Sequence, residues 1–419
     1  LGLSRKLSIY SGLPGPIYVL FIVRVVSAMG NFVYPFLTFF LTERMGFNTE
    51  TAGDFFLASA AFQAIGSIAA GKLTDHTGRK KLLVGFQLLS ALCYMPCPFL
   101  GSSILIPFLL IVSGMFLGAS QTVSQAMISD LTCKENRVRS FSLLYMGTNI
   151  GFAVGPMIAG FLYKNYTNWI FFGNTFAILI SMVLILVYIK ETMPVIDTLE
   201  GEEAEEDGEA AEEGGVFSAL LKRPVLVLFS VGRLVNQFVY SCIGFAIPLQ
   251  LAQTFGGSLG PKYFGIIMSF TGFVVIVFTM PATRLTMKFK PLINIAMAGF
   301  FYAIGFGMIG FIDTLPLFLL SALIFTIGEV LEATNAGAYI ANHSPITHRG
   351  RFNALINMIA GIGTAVGPYM FGRFIASYGL FQLWLLCFSL TFTSGLFMLW
   401  LRWYERSREC KTVKRNINY

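Results

Sequence analysis

Residues 137–160 read RVRSFSLLYMGTNIGFAVGPMIAG, and residues 349–372 read RGRFNALINMIAGIGTAVGPYMFG. Laid over each other, they align Arg137 with Arg349, Arg139 with Arg351 and Gly155-Pro156 with Gly367-Pro368, at a constant offset of 212 residues. In a chain of 419 residues this offset means two halves built alike. Duplicated hydrophobic halves are the sequence pattern of secondary transporters.

Composition agrees. The chain is 55% hydrophobic, only 12% charged and contains 42 Phe, which is too little polar surface to cover a water-soluble globule. Runs of roughly 20 apolar residues, long enough to cross about 30 Å of hydrocarbon, recur twelve times. They fall near 17–42, 51–74, 81–100, 105–129, 139–163 and 169–189, then near 224–252, 261–287, 291–312, 316–342, 350–377 and 380–403. Lipid offers backbone N–H and C=O groups no partner, and no alternating pattern argues for a closed barrel, so the runs are expected to be helices of an all-α membrane protein. Four segments are expected: six-helix bundles over 1–189 and 223–403, a linker over 190–222 and a basic tail over 404–419.

Orientation follows from the basic residues, 23 of 29 of which fall at the termini or in the even-to-odd loops, which predicts both termini in the cytoplasm. The tail, with Arg402, Arg406, Arg408, Lys411, Lys414 and Arg415, fits anionic headgroups rather than nucleic acid. The first apolar run has no cleavage pattern after it and is expected to stay as a helix. The six Cys show no metal-ligand spacing, so neither a metal nor a disulfide is expected. Residues 200–213, EGEEAEEDGEAAEE, hold 9 of the 22 acidic residues and almost nothing apolar. Such a run is expected to be a solvated spacer, with a latch against the basic loops as the alternative.

After the second run the chain reads Gly71-Lys72-Leu73-Thr74-Asp75-His76-Thr77-Gly78-Arg79-Lys80-Lys81. This resembles the loop signature of the major facilitator superfamily, G-x-L-a-D-r-x-G-r-r/k, with His76 where a basic residue is usual. The resemblance implies a conformational latch: Asp75 facing the N-terminus of the eleventh helix, and Arg79 reaching Asp130 at the end of the fourth. Shifted by 212, Met287 stands for Asp75 and Asn342 for Asp130, so the second half lacks the same acids. The duplicated segment resembles the fifth-helix signature G-x-x-x-G-P-x-x-G-G of proton-driven antiporters in that superfamily. Gly151, Gly155, Pro156 and Gly160 match it, with Ala159 in place of one glycine, and Gly363, Gly367, Pro368 and Gly372 repeat it. Small residues four apart let helices approach closely and Pro softens a helix, so a bending seam or ordinary close packing would both explain the motif. The stretch from Arg24 to Thr38 resembles bacterial multidrug exporters. Gly114 stands where drug/proton antiporters commonly carry Arg, so coupling would have to sit elsewhere.

Charges inside the bilayer are costly, about 2.5–3.5 kcal/mol each on insertion scales, and usually face a cavity or a partner. Glu329 and Glu332 share one face of the tenth run, Arg24 lies in the first and Arg233 in the seventh. The resemblance implies that helices one, four, seven and ten line a central cavity where these four would gather. Glu329 is the first candidate for proton carrier and Glu332 the second, with Arg24 as partner or anion contact. The alternative for each Glu is a fixed ion pair. Tyr34, Gln121, Gln125, Asn236, Gln237, Tyr240 and Asn335 are candidate cavity residues.

The resulting expectation is a twelve-helix secondary transporter of the major facilitator fold, not an enzyme. It would be monomeric, without cofactor, using protons to expel amphipathic or cationic small molecules across a bacterial inner membrane. A metabolite uptake symporter or facilitator, and a lipid or lysolipid transporter, share the fold. No G-x-x-x-x-G-K-[ST] loop is present to energise a pump.

Overall fold

The structure, a computed structural model, describes residues 10–193, 220–221, 223–286, 288–344 and 349–417. The acidic run 200–213 lies outside these residues. Among the described residues there are helices and turns and no strand. The first half holds α1 (Gly15–Met29), α2 (Thr49–Thr77), α3 (Arg79–Tyr94), α4 (Leu105–Asp130), α5 (Lys134–Tyr163) and α6 (Thr167–Tyr188). The second holds α7 (Pro224–Tyr240), α8 (Cys242–Thr286), α9 (Pro291–Met308), α10 (Leu315–His343), α11 (Arg349–Tyr378) and α12 (Leu380–Ile417). Among the described residues ten helical stretches are long and apolar enough to cross a membrane. One of them, Pro224–Thr286, is divided at Gly256, where the backbone turns through φ 74 and ψ 169. With that division and the shorter α1, the twelve runs of the sequence are accounted for.

The first run departs from expectation. A continuous helix over 17–42 is predicted, but α1 stops at Met29 and the chain turns before a short helix (Leu37–Phe39) and a π-turn (Phe40–Arg44). Pro35 supplies no N–H and disfavours a helical residue before it. Gly30 marks a close approach: a Cβ there would lie 1.9 Å from the Cβ of Ala177 on α6.

The chain clusters into two compact units, Leu1–Glu203 with Ile247–Phe273, and Ala204–Ala246 with Val274–Tyr419. In the first, α1 packs on α5 and α6, and α3 packs on α4 and α6; in the second, α7 packs on α11 and α12, and α9 packs on α10 and α12. These four pairings correspond one to one under the 212-residue shift, so the repeat seen in two glycine segments extends to the packing of each half. Each unit has its own apolar core, with Ile17, Val123, Met127 and Ile185 in one, and Phe229, Ile295, Ile356 and Leu401 in the other, all at 2% exposure or less. Meanwhile Phe176, Ile180, Val183 and Val187 form an outward stripe on α6, each at least 50% exposed. An apolar stripe at helical spacing over an already filled core is what a hydrocarbon solvent requires.

Glycines set how close the helices come. A Cβ at Gly151 would lie 2.5 Å from the Ala28 Cβ, one at Gly155 2.3 Å from the Met29 carbonyl oxygen, and one at Gly363 2.4 Å from the Leu234 carbonyl oxygen. The α1–α5 and α7–α11 contacts are therefore backbone against backbone, the mode by which small residues hold membrane helices together. Substituting Val at Gly155 or Gly363 should cost about 1–3 kcal/mol or more by overpacking, seen as a lower thermal midpoint of the solubilised protein. Gly71→Ala, with no atom within 4 Å of its Cβ, should leave the midpoint nearly unchanged.

Candidate functional site

The polar centre of the second unit is built on α7 and α10. Arg233, Asn236, Gln237 and Tyr240 recur at i, i+3, i+4 and i+7 and so form one stripe on α7. Opposite them, Glu329 and Glu332 sit one turn apart on α10. The two carboxylates have different surroundings. Glu332 is 2% exposed and receives Arg233 Nε at 3.2 Å, Asn236 Nδ2 at 3.1 Å and Gln237 Nε2 at 3.4 Å. Arg233 also donates through Nη1 to Asn357 Oδ1 on α11 at 2.8 Å. A buried charge is tolerable only when paired and hydrogen-bonded, and this one has both. The partner recorded for Glu329 is instead the neutral phenol of Tyr240. The Tyr240 ring lies edge-on to Tyr302 of α9, centroids 6.1 Å apart.

Among the described residues six buried side-chain oxygens lack a hydrogen-bond partner, and three of them, Asn236 Oδ1, Tyr302 Oη and Thr326 Oγ1, belong to α7, α9 and α10, the last one turn before Glu329. Buried polar atoms are normally satisfied, so these oxygens remain available for a further hydrogen bond. Asn357 and Tyr302 were not legible as site residues. Each is a common residue type on an apolar helix, with no spacing that singles it out.

The remaining candidates disperse. Asn335 accepts from Asn294 Nδ2 on α9 at 2.8 Å and is turned toward that helix. Arg24 donates to Ser124 Oγ on α4 at 3.3 Å. Gln121 and Gln125 are exposed on one face of α4. Tyr34, expected on a helix, stands in the turn after α1, 55% exposed, its ring edge-on to Phe56 at 6.2 Å.

At the α3 end of the first unit, Gly78 turns with φ 90, a conformation that favours glycine, and α3 starts at the next residue. Arg79 Nε reaches Asp130 Oδ2 at 3.0 Å, and its Nη1 donates to the Thr74 carbonyl at the end of α2. The side chain of Asp75 lies outside the described residues, and a Cβ at Gly71 would be unopposed. Sequence reading missed Glu191, just beyond α6, whose carboxylate accepts from Arg79 N at 2.7 Å and Lys80 N at 3.2 Å, capping α3. Burial pushes the Glu191 carboxyl up, but the N–H groups of Lys80, Met193, Thr192 and Arg79 outweigh it and hold it below the usual carboxylate range. An acid two residues past a predicted membrane helix, next to Lys190, was the available signal.

In the glycine motif, the N–H of Met157, next to Pro156, donates to Ser269 Oγ of α8 at 3.1 Å. Gly160 and Gly265 face each other at the same seam, where a Cβ at Gly265 would lie 2.4 Å from the Pro156 carbonyl oxygen. In α11, a Cβ at Gly367 would lie 1.9 Å from Ser241 Oγ in the turn between α7 and α8. Pro368 and Gly372 lie within α11.

Two outcomes follow from these contacts. Glu332→Gln leaves Arg233 buried without its charge partner and should cost about 3–5 kcal/mol, whereas Arg233→Met combined with Glu332→Met should recover most of the thermal midpoint. Glu191→Gln keeps an accepting oxygen but removes the negative charge from the N-terminal cap, a change worth about 0.3–1 kcal/mol. Because the folded-state carboxyl is held below its unfolded value, this stabilisation is present above that value and is lost as pH falls through the folded one. Wild-type and variant midpoints should therefore differ at neutral pH and converge below about pH 4.

The chain is 22% identical to the Na(+), Li(+), K(+)/H(+) antiporter of Planococcus maritimus over 393 residues, covering 88% of this chain and 91% of that one. It is 25% identical to the gentisate transporter of Corynebacterium glutamicum over 226 residues, 52% of this chain and 50% of the other. The structure of the nucleoside transporter NupG superposes with a TM-score of 0.73 at 14% identity, covering 93% of this chain and 99% of that chain, a likeness of fold alone. The Major Facilitator Superfamily pattern matches residues 20–235 and 229–416, so the repeated halves are both accounted for. The chain belongs to the major facilitator superfamily, and it is a transporter rather than an enzyme.

Proposed function

We propose that this transporter is a proton-coupled antiporter that expels cationic, amphipathic small molecules, with Glu329 as the group that carries either the proton or the positive charge of the substrate. The observation behind this reading is the division of labour on α10. Glu332 is held by Arg233, Asn236 and Gln237, while Glu329 has the Tyr240 phenol. A carboxyl partnered by a neutral donor can be discharged by a proton or by a cation, and competition of the two for one group is sufficient for exchange. Tyr240 sits beside it to orient a ligand, and Tyr302 supplies an aromatic wall. In this reading the protein acts as a monomer in a bacterial inner membrane, with both termini in the cytoplasm. The network of Arg79, Asp130 and Glu191 steadies the cytoplasmic ends of α2, α3, α4 and α6.

A second reading is exchange of an alkali cation for protons. It is favoured by the unpartnered oxygens of Asn236, Tyr302 and Thr326 on the same three helices, since hard cations take oxygen ligands. It also agrees with the name of the Planococcus relative.

Proton movement in proteoliposomes decides between them. Lipophilic cations should drive a proton signal that Glu329→Gln lowers by about 100-fold, the scale of an essential proton-transfer group, while protein folding is retained. A signal driven by Na(+) or K(+) and not by lipophilic cations would establish the second reading. A pH-linked signal unchanged in Glu329→Gln would remove Glu329 as carrier in both.

A further inference from the structure

We propose that His343 and Glu405 form a second proton-binding site, at the end of the second unit that the basic loops predict to be cytoplasmic, which fastens α10 to α12 when protonated and loosens them when not. The corresponding end of the first unit is tied by the Arg79 guanidinium to Asp130 and by the Arg79 backbone N–H to Glu191, and neither donor loses its proton at physiological pH. Under the 212-residue shift Asp130 becomes Asn342, and the network is rebuilt with different chemistry. The carboxylate comes from α12 and the cation is a histidine, the side-chain type whose charge changes between about pH 5 and 8.

The geometry is specific. Glu405 is 8% exposed. Its Oε1 accepts the hydroxyl of Tyr339 and faces His343 Nε2 at 3.4 Å, and its Oε2 accepts Arg402 Nη1 at 3.3 Å. His343 Nδ1 lies 2.9 Å from the carbonyl oxygen of Tyr339, a contact in which only an N–H can serve, so the proton of the neutral ring belongs on Nδ1. That tautomer turns a bare Nε2 lone pair toward the carboxylate, acceptor against acceptor. A second proton on Nε2 converts the same contact into a charge-assisted hydrogen bond from α10 to α12.

The surroundings hold the ring for this purpose. It lies on the Tyr339 ring, centroids 4.3 Å apart, and Tyr339 in turn rests on Phe229 of α7 at 4.3 Å. Arg223, just before α7, donates Nη1 to the His343 carbonyl oxygen at 2.9 Å, with its guanidinium over the Phe352 ring of α11. The charged and titratable groups recorded around the imidazole are thus Tyr339 on its own helix, Glu405 and Arg402 on α12, and Arg223 at the start of α7. The histidine side chain is 35% exposed and can exchange a proton with water, while the carboxylate beneath it stays covered.

This site does not depend on which substrate is carried, or on Glu329. The test is amide hydrogen exchange of residues 398–407 in the full-length protein without substrate, at about pH 6 and about pH 8, corrected for intrinsic exchange. The wild type should exchange about three- to tenfold more slowly at the lower pH. His343→Gln and Glu405→Gln should both abolish the difference, and Glu329→Gln should retain it. Glu405→Gln still accepts from Tyr339, so loss of the pH effect with the helix intact isolates the imidazole contact. An equal pH effect in His343→Gln, or none in the wild type, overturns the proposal.

Discussion

Everything at the centre of the second unit depends on keeping one charge, that of Glu332, away from lipid. A carboxylate in hydrocarbon is intolerable without a partner, and Arg233 meets that demand together with Asn236 and Gln237. The consequence reaches beyond the pair. Four polar side chains at helical spacing on α7 commit that face to α10, and Asn357 draws α11 into the same network through Arg233. With Glu332 neutralised, the carboxyl one turn away meets a phenol instead of a guanidinium. Two identical side chains on one helix face thereby acquire different chemistry through their neighbours alone.

The repeat is retained where packing is concerned and discarded where charge is concerned. The α1–α5 and α7–α11 contacts both rest on glycines against carbonyl oxygens, at Gly155 and Met29 and at Gly363 and Leu234. Backbone contact of that kind leaves no room for variation, since any side chain would force the helices apart. The charged clusters have no such restriction: a carboxylate can reach a cation from α4 or from α12, and the N–H groups of a helix end from beyond α6. This is why the offset of 212 residues recovers the four pairings described above but not the partners of Arg79 or Glu405.

Sequence reading went furthest where one residue type has one physical use. Twelve apolar runs, the Gly-Pro repeat and the buried charges on the first, seventh and tenth runs were legible because lipid leaves few alternatives for each. Asp130 could be matched to Arg79 through the loop signature, and the structure places them 3.0 Å apart. What escaped was anything that depends on a neighbour brought close by folding. The break of the first run was hidden because Asn31 to Phe40 is apolar enough to read as helix, and only the approach of Ala177 to Gly30 and the effect of Pro35 explain the turn. The roles of the two glutamates were open in the sequence, since Arg233 lies about 100 positions from either. Glu191 was overlooked because it precedes an acidic run that draws attention away from it.

Arg233 has one more consequence, for energetics. In the proposed exchange, Arg233 neutralises Glu332 and leaves Glu329 as the carboxyl of this site that changes its charge during a cycle. If a neutral residue replaced the arginine in a related chain, Glu332 would become a second chargeable group, and each turnover could move one more elementary charge. Against a membrane potential of 100 mV, each such charge is worth about 2.3 kcal/mol. The gradient of substrate that such a protein can sustain, and whether membrane voltage drives it at all, would then be set by one arginine that need never touch the substrate.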